Sequence, residues 1–154
     1  MDADIGIGET DRKEIGETLA RLLADTYALY LKTQNYHWNV AGPRFRELHL
    51  MFEQQYQELA EATDEIAERI RILGFSAPAT FGEFSRLTSL PIEEGVPEAE
   101  AMVRKLLEGH ELVLRTARQV LERADKTDDH GTVELTTRRI AYHEKTCWML
   151  ATMV

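Results

Sequence analysis

Four residues in one stretch of the chain, His49, Glu53, Asp64 and Glu68, carry side chains that coordinate divalent metals. Imidazole and carboxylate donors together suit iron, manganese or zinc. His49 and Glu53 stand four apart, as do Asp64 and Glu68, so on a helix the members of each pair are surface neighbours. At about 100° per residue the four form a stripe roughly 100° wide. An apolar stripe of similar width, made by Leu48, Phe52, Tyr56, Leu59, Thr63, Ile66, Ile70 and Leu73, is centred about 120° away. The metal-binding types therefore flank the core and do not point into it. Within one chain the two pairs cannot share a metal, because the fifteen residues from His49 to Asp64 span about 22 Å of helix.

Two copies of this helix crossing antiparallel about a two-fold axis remove the difficulty. In such a contact residue i meets j and j meets i. Positions 49 and 68 share their midpoint with positions 53 and 64, between Glu58 and Leu59. One axis there brings His49 beside Glu68 of the partner subunit, and Glu53 beside Asp64 of the partner subunit, at two equivalent sites. His37 is the fifth candidate. It closes the preceding helix on the face of Leu19, Leu23, Thr26 and Tyr30, and the WNVAGP turn folds it back toward His49. Trp38 beside it is placed to shield the site or to trap a one-electron oxidant. An acid pair at this spacing is ordinarily a solvated helix face, and a lone histidine at a helix end is ordinarily structural. Five such residues converging on one symmetry-related site are harder to explain that way.

The elements that must position these residues are helical. Glycine and proline break the pattern at Gly42-Pro43, between Gly74 and Pro97, and at Gly131. The spacing predicts long helices over 11–38, 43–73 (Pro43 in its first turn, Gly74 as its stop), 97–124, and from Thr132 to the end. The connection from 74 to 96 is long for a plain loop, and Phe81, Phe84 and Leu87 inside it predict a short extra helix. Four long helices with one long middle connection are the pattern of an all-α, ferritin-like four-helix bundle. At 154 residues the chain reads as a single domain with a short acidic N-terminal segment, 1–10.

Acidic residues outnumber basic ones 27 to 18, for a net charge of −9. Such a surface repels polyanions and attracts cations at long range. Cys147 is the single cysteine, which rules out an internal disulfide and fits a reducing cytoplasm. The N-terminus lacks the basic and apolar regions of a signal peptide. No apolar run approaches the roughly 20 residues of a membrane span.

The stretch LLADTYALYLKTQNYHWNVAGPRFRELHLMFEQQYQELAEATDEIAERIRILG resembles the Dps family of mini-ferritins, and the likeness runs on to the HEKTCWML ending. Its most specific part is HWN, a second histidine twelve residues after the first, and DEIAER, which carry His37, His49, Asp64 and Glu68. The resemblance implies a ferroxidase, with His37 and His49 from one subunit, Asp64 and Glu68 from its two-fold partner, and Glu53 as an additional carboxylate. It also implies iron as the metal, hydrogen peroxide as the preferred oxidant, and a homo-oligomeric, dodecameric shell around a hollow, iron-storing interior. Anionic ligands stabilise the ferric product over the ferrous reactant, which lowers the barrier to losing an electron. A second, weaker iron would sit between Glu68, Glu53 and water. Two irons side by side give peroxide two electrons without releasing hydroxyl radical. Acids at the turn into the last helix line a pore in the family, and on that basis Asp129 and Glu134 are expected on the route by which iron enters.

Ordinary ferritins fit less well. Their intrasubunit site uses Glu-x-x-His motifs facing the bundle interior, and no glutamate here is followed by histidine three positions later. Two departures from Dps proteins matter. The first ten residues hold no lysine or arginine, so DNA binding through a basic tail is expected to be weak or absent. Arg44, Arg46, Arg138 and Arg139 are the other candidates for a basic patch. Gln34 stands where the family often has histidine. The alternatives are a DNA-compacting nucleoid protein with secondary iron chemistry, and a structural helical oligomer with a dead site. His130 and His143 have no partner in the sequence pattern.

Overall fold

The computed structural model describes residues 3–154, so the first two residues of the acidic 1–10 segment lie outside it. Five helices follow in order: α1 Glu9–Asn39, α2 Phe45–Ile72, α3 Phe81–Leu87, α4 Ala99–Asp125 and α5 His130–Ala151. No strand occurs among the described residues. α1 pairs with α2 and α4 with α5, and α1 and α4 join the two hairpins. The crossover between α2 and α4 carries α3 across α1. The expected all-α bundle with its extra helix is what forms.

Helix starts differ from the sequence expectation by about a turn's fraction, for local reasons. Pro43 precedes α2 because it occupies a tight turn in which Phe45 N donates to Gly42 O at 3.0 Å. Gly42 takes φ +107° there, a conformation that costs a glycine little. α4 begins after Pro97 because Glu98 is extended and its carbonyl accepts the first helical bond, from Met102 N at 2.9 Å. α5 begins at His130, since Asp129 caps it by accepting from Thr132 N. α3 holds its shape through a reciprocal capping box between Thr80 and Glu83.

Leu19, Leu22, Leu29, Phe52, Leu59, Ile66, Leu106 and Val113 form the centre of the core, all fully buried. Gly109 lets α4 approach α1 closely, as a Cβ there would lie 2.7 Å from Leu29. Buried Asp25 of α1 fastens the crossover: its carboxylate accepts from Thr88 Oγ1 at 2.8 Å, Ser89 N at 2.6 Å and, across the bundle, Thr116 Oγ1 at 2.6 Å. Such charge-assisted bonds satisfy a carboxylate that would otherwise be costly to bury.

Candidate metal centre

His37 lies in the last turn of α1 and His49 in the first turns of α2, and the short hairpin stacks their rings with centroids 3.9 Å apart. Each imidazole is anchored by the other's backbone. His37 Nδ1 lies 2.7 Å from His49 O, and His49 Nδ1 lies 2.7 Å from His37 O. A carbonyl oxygen only accepts, so each Nδ1 must carry the proton and donate. Both rings are thereby fixed in the tautomer that leaves a lone pair on Nε2, the form in which histidine binds metals. Phe45 stacks on the outer side of His49 at 5.0 Å, and Tyr56 meets His37 edge-on at 5.1 Å. His37 is buried and His49 half-buried.

The carboxylates of α2 divide into two groups. Glu58 is bound by Arg139 of α5, and Glu65 by Arg138. Glu53, Glu61, Asp64 and Glu68 have no ion pair or side-chain hydrogen bond among the described residues, and all but Glu53 are exposed. The hairpin thus brings His37 and His49 together with Glu53 one turn onward. It leaves Asp64 and Glu68 toward the far end of α2. Among the described residues no three potential ligands meet within one chain.

The acids expected near the iron route are differently placed. Asp129 is buried, with one oxygen accepting from Arg69 at 2.5 Å and Thr132 N at 3.1 Å, and the other from Thr132 Oγ1 at 2.5 Å. Its carboxylate is occupied in shaping the α4–α5 turn. Glu134 is exposed and paired with Arg138. Of the four arginines that are candidates for a basic patch, three are engaged by acids. Arg139 is buried against Glu58, Arg138 is held by two glutamates, and Arg44 pairs with Glu47.

Sequence reading missed a polar cluster inside the bundle. His110 of α4 and His143 of α5 are fully buried with their Nδ1 atoms 2.8 Å apart. Arg139 donates to His143 Nε2 at 3.2 Å, and a guanidinium can only donate, so the His143 proton is on Nδ1 and is given to His110 Nδ1. His110 Nε2–H then has no protein partner. Burial, reinforced by the Arg139 charge, holds both imidazoles neutral well below the ordinary histidine range. The nearby carboxylate, Glu58, is spent on Arg139, so this interior does not favour a metal cation.

A four-helix bundle with a long crossover between its second and third long helices has the architecture of a ferritin-like protein. The Ferritin-like domain family matches residues 16–154. DNA protection during starvation protein 2 of Bacillus anthracis is 36% identical, covering 90% of this chain and 94% of that one. A low temperature-induced protein of Nostoc is 38% identical over 98% of this chain and 86% of its own length. The crystal structure of the Dps protein of Vibrio cholerae, described as a member of the ferritin-like diiron-carboxylate proteins, superposes with a TM-score of 0.95 at 32% identity, covering 99% and 96% of the two chains. The chain belongs to the Dps family of mini-ferritins, and with it to iron storage and protection by homo-oligomers.

Proposed function

We propose that this chain oxidises Fe(II), its substrate, at centres shared between two-fold-related copies. His37, His49 and Glu53 come from one copy and Asp64 and Glu68 from the other. The observation that carries this reading is the reciprocal anchoring of His37 and His49. It commits both Nδ1 atoms and leaves both Nε2 lone pairs open, on a hairpin whose second helix carries Glu53, Asp64 and Glu68 unpaired. Two histidines make an incomplete site for a ferric product, and carboxylates from a second copy complete it. The exposed apolar side chains nearby, Trp38, Phe45 and Leu50, support burial of this face against another subunit.

Within that centre the imidazoles bind and orient Fe(II), and the carboxylates stabilise the charge that develops as the electron leaves. Glu53 and Glu68 offer a second, weaker position. Hydrogen peroxide is the oxidant we assign, and the ferric product is stored inside a dodecameric shell. Exposed Asp125, Asp128 and Glu134 attract iron toward the turn between α4 and α5, while Asp129 keeps that turn in shape. DNA compaction, the competing reading, finds little support in the engaged arginines and the excess of acid.

Stopped-flow oxidation of Fe(II) by peroxide, and separately by oxygen, tests the reading with wild type and Glu68→Gln. Wild type is expected to outpace buffer, to be faster with peroxide, and to lose most of that advantage on substitution. A wild-type rate equal to buffer would leave a structural or DNA-associated shell.

A further inference from the structure

A continuous path of ring contacts leads away from His37. Tyr56 of α2 meets the His37 ring with centroids 5.1 Å apart. Tyr56 in turn meets Tyr30 of α1 at 6.1 Å, and Tyr30 meets Tyr27 at 5.5 Å. Tyr27 stacks on Phe84 of α3 at 4.7 Å, where the path ends in a ring with no hydroxyl. All three tyrosines are half-buried. Trp38, the residue the sequence offers as a radical trap, is 65% exposed and belongs to none of these contacts. The Tyr30 hydroxyl accepts a hydrogen bond from Gln34 Nε2 at 3.2 Å.

We propose that Tyr56, Tyr30 and Tyr27 form a one-electron relay that supplies the missing electron when peroxide meets a centre holding a single Fe(II). The relay rests on the shared-centre reading above. Peroxide needs two electrons to become water, and one Fe(II) provides only one. Tyr56 provides the other: Fe(II), hydrogen peroxide, one proton and the Tyr56 phenol become Fe(III), two water molecules and the Tyr56 phenoxyl radical. Tyr30 then gives an electron and its phenolic proton to Tyr56, which is restored, and the radical rests on Tyr30. The amide of Gln34 favours that resting place, because a hydrogen bond donated to an oxygen stabilises the form in which that oxygen only accepts. Tyr27 extends the delocalised path, and Phe84 closes it, lacking a phenolic proton to give up. A later Fe(II) and a proton reduce the radical to the phenol, so two Fe(II) are consumed per peroxide even when they arrive singly. Without the relay, the one-electron reaction of Fe(II) with peroxide releases hydroxyl radical.

The test is rapid-freeze electron paramagnetic resonance after protein holding less than one Fe(II) per centre is mixed with peroxide, paired with a hydroxyl spin trap. Wild type is expected to give a tyrosyl signal and little trapped hydroxyl. Tyr30→Phe and Tyr56→Phe each remove one oxygen while keeping the ring. Both are expected to lose the main signal, and Tyr56→Phe to raise trapped hydroxyl. Trp38→Phe is expected to leave the signal in place. Elution volume confirms that each variant still assembles. A wild type that oxidises Fe(II) without a tyrosyl signal overturns the relay and leaves the ferroxidase intact. So does an unchanged signal in Tyr56→Phe. Absence of protein-catalysed Fe(II) oxidation defeats the shared-centre reading, and the relay with it.

Discussion

An imidazole that gives its Nδ1 proton to a backbone carbonyl has settled which nitrogen faces a metal, and here two rings do so to each other. Ligand loss should then cost affinity directly. Asp64→Asn keeps the size of the side chain and removes its charge, and is expected to weaken Fe(II) binding at least by the roughly 10–100-fold that loss of an outer partner costs. Anaerobic titration with Fe(II), or with Co(II) as a coloured probe, measures it. The buried His110–His143 pair makes a separate prediction about pH. Burial pushes both down, His110 to about 3, while an unfolded histidine titrates near about 6.5. Below that value the unfolded chain binds protons that the folded chain refuses. Stability therefore falls with pH by up to about 1.4 kcal/mol per pH unit for each histidine, and the pair adds no slope above it. Thermal melting at successively lower pH should show a flatter decline in the His110→Gln/His143→Gln variant, and an equal decline would contradict the assignment. Spacing alone made the five candidate ligands legible, because four of them share one helix and the fifth precedes it by a short turn. Spacing could not reveal the His110–His143 pair, whose members lie 33 residues apart on different helices. Tyr56 was visible only as a core residue, since a ring's use depends on which neighbour it touches.

At the level of elements, the α4–α5 turn shows how one residue type serves two ends. In sequence, Asp129 sits among other acids and reads as part of a cation route. In the fold it is 1% exposed, caps α5 and holds Arg69. Only packing distinguishes the two, because Arg69 lies 60 residues away. Asp129→Ala removes a cap and leaves a half-buried guanidinium without its carboxylate. We expect a loss of about 3–5 kcal/mol, the range for breaking a buried ion pair, read as a lower urea midpoint or melting temperature. Glu134→Gln, at an exposed pair, is expected to change stability by less than about 1 kcal/mol and to slow iron uptake if the turn lies on the route. Helix number, order and the extra helix were legible from apolar periodicity and the Gly and Pro breaks. Exact starts were not, because they depend on which residue at a break takes the extended or capping conformation.

For the whole molecule, the proposal makes the single chain one half of each centre. In the proposed assembly the apolar side chains around the α1–α2 hairpin and the unpaired acids of α2 meet a second copy, and the shell is expected to elute near twelve times 17.7 kDa. The proposed two-fold arrangement comes from the common midpoint of the two ligand pairs in the sequence, whereas the mutual anchoring of His37 and His49 needed coordinates. The most direct test of the shared centre mixes two inactive variants. His49→Ala spoils the histidine half of a centre and Asp64→Ala the carboxylate half. In a mixed dimer one centre carries both defects and the other carries neither. After dissociation and random reassembly, about one quarter of all centres should be intact, and Fe(II) oxidation by peroxide should return to about that fraction of the wild-type rate. Recovery of this size establishes centres built from two chains. A mixture as slow as either variant alone, in shells shown to have exchanged subunits, would contradict the account.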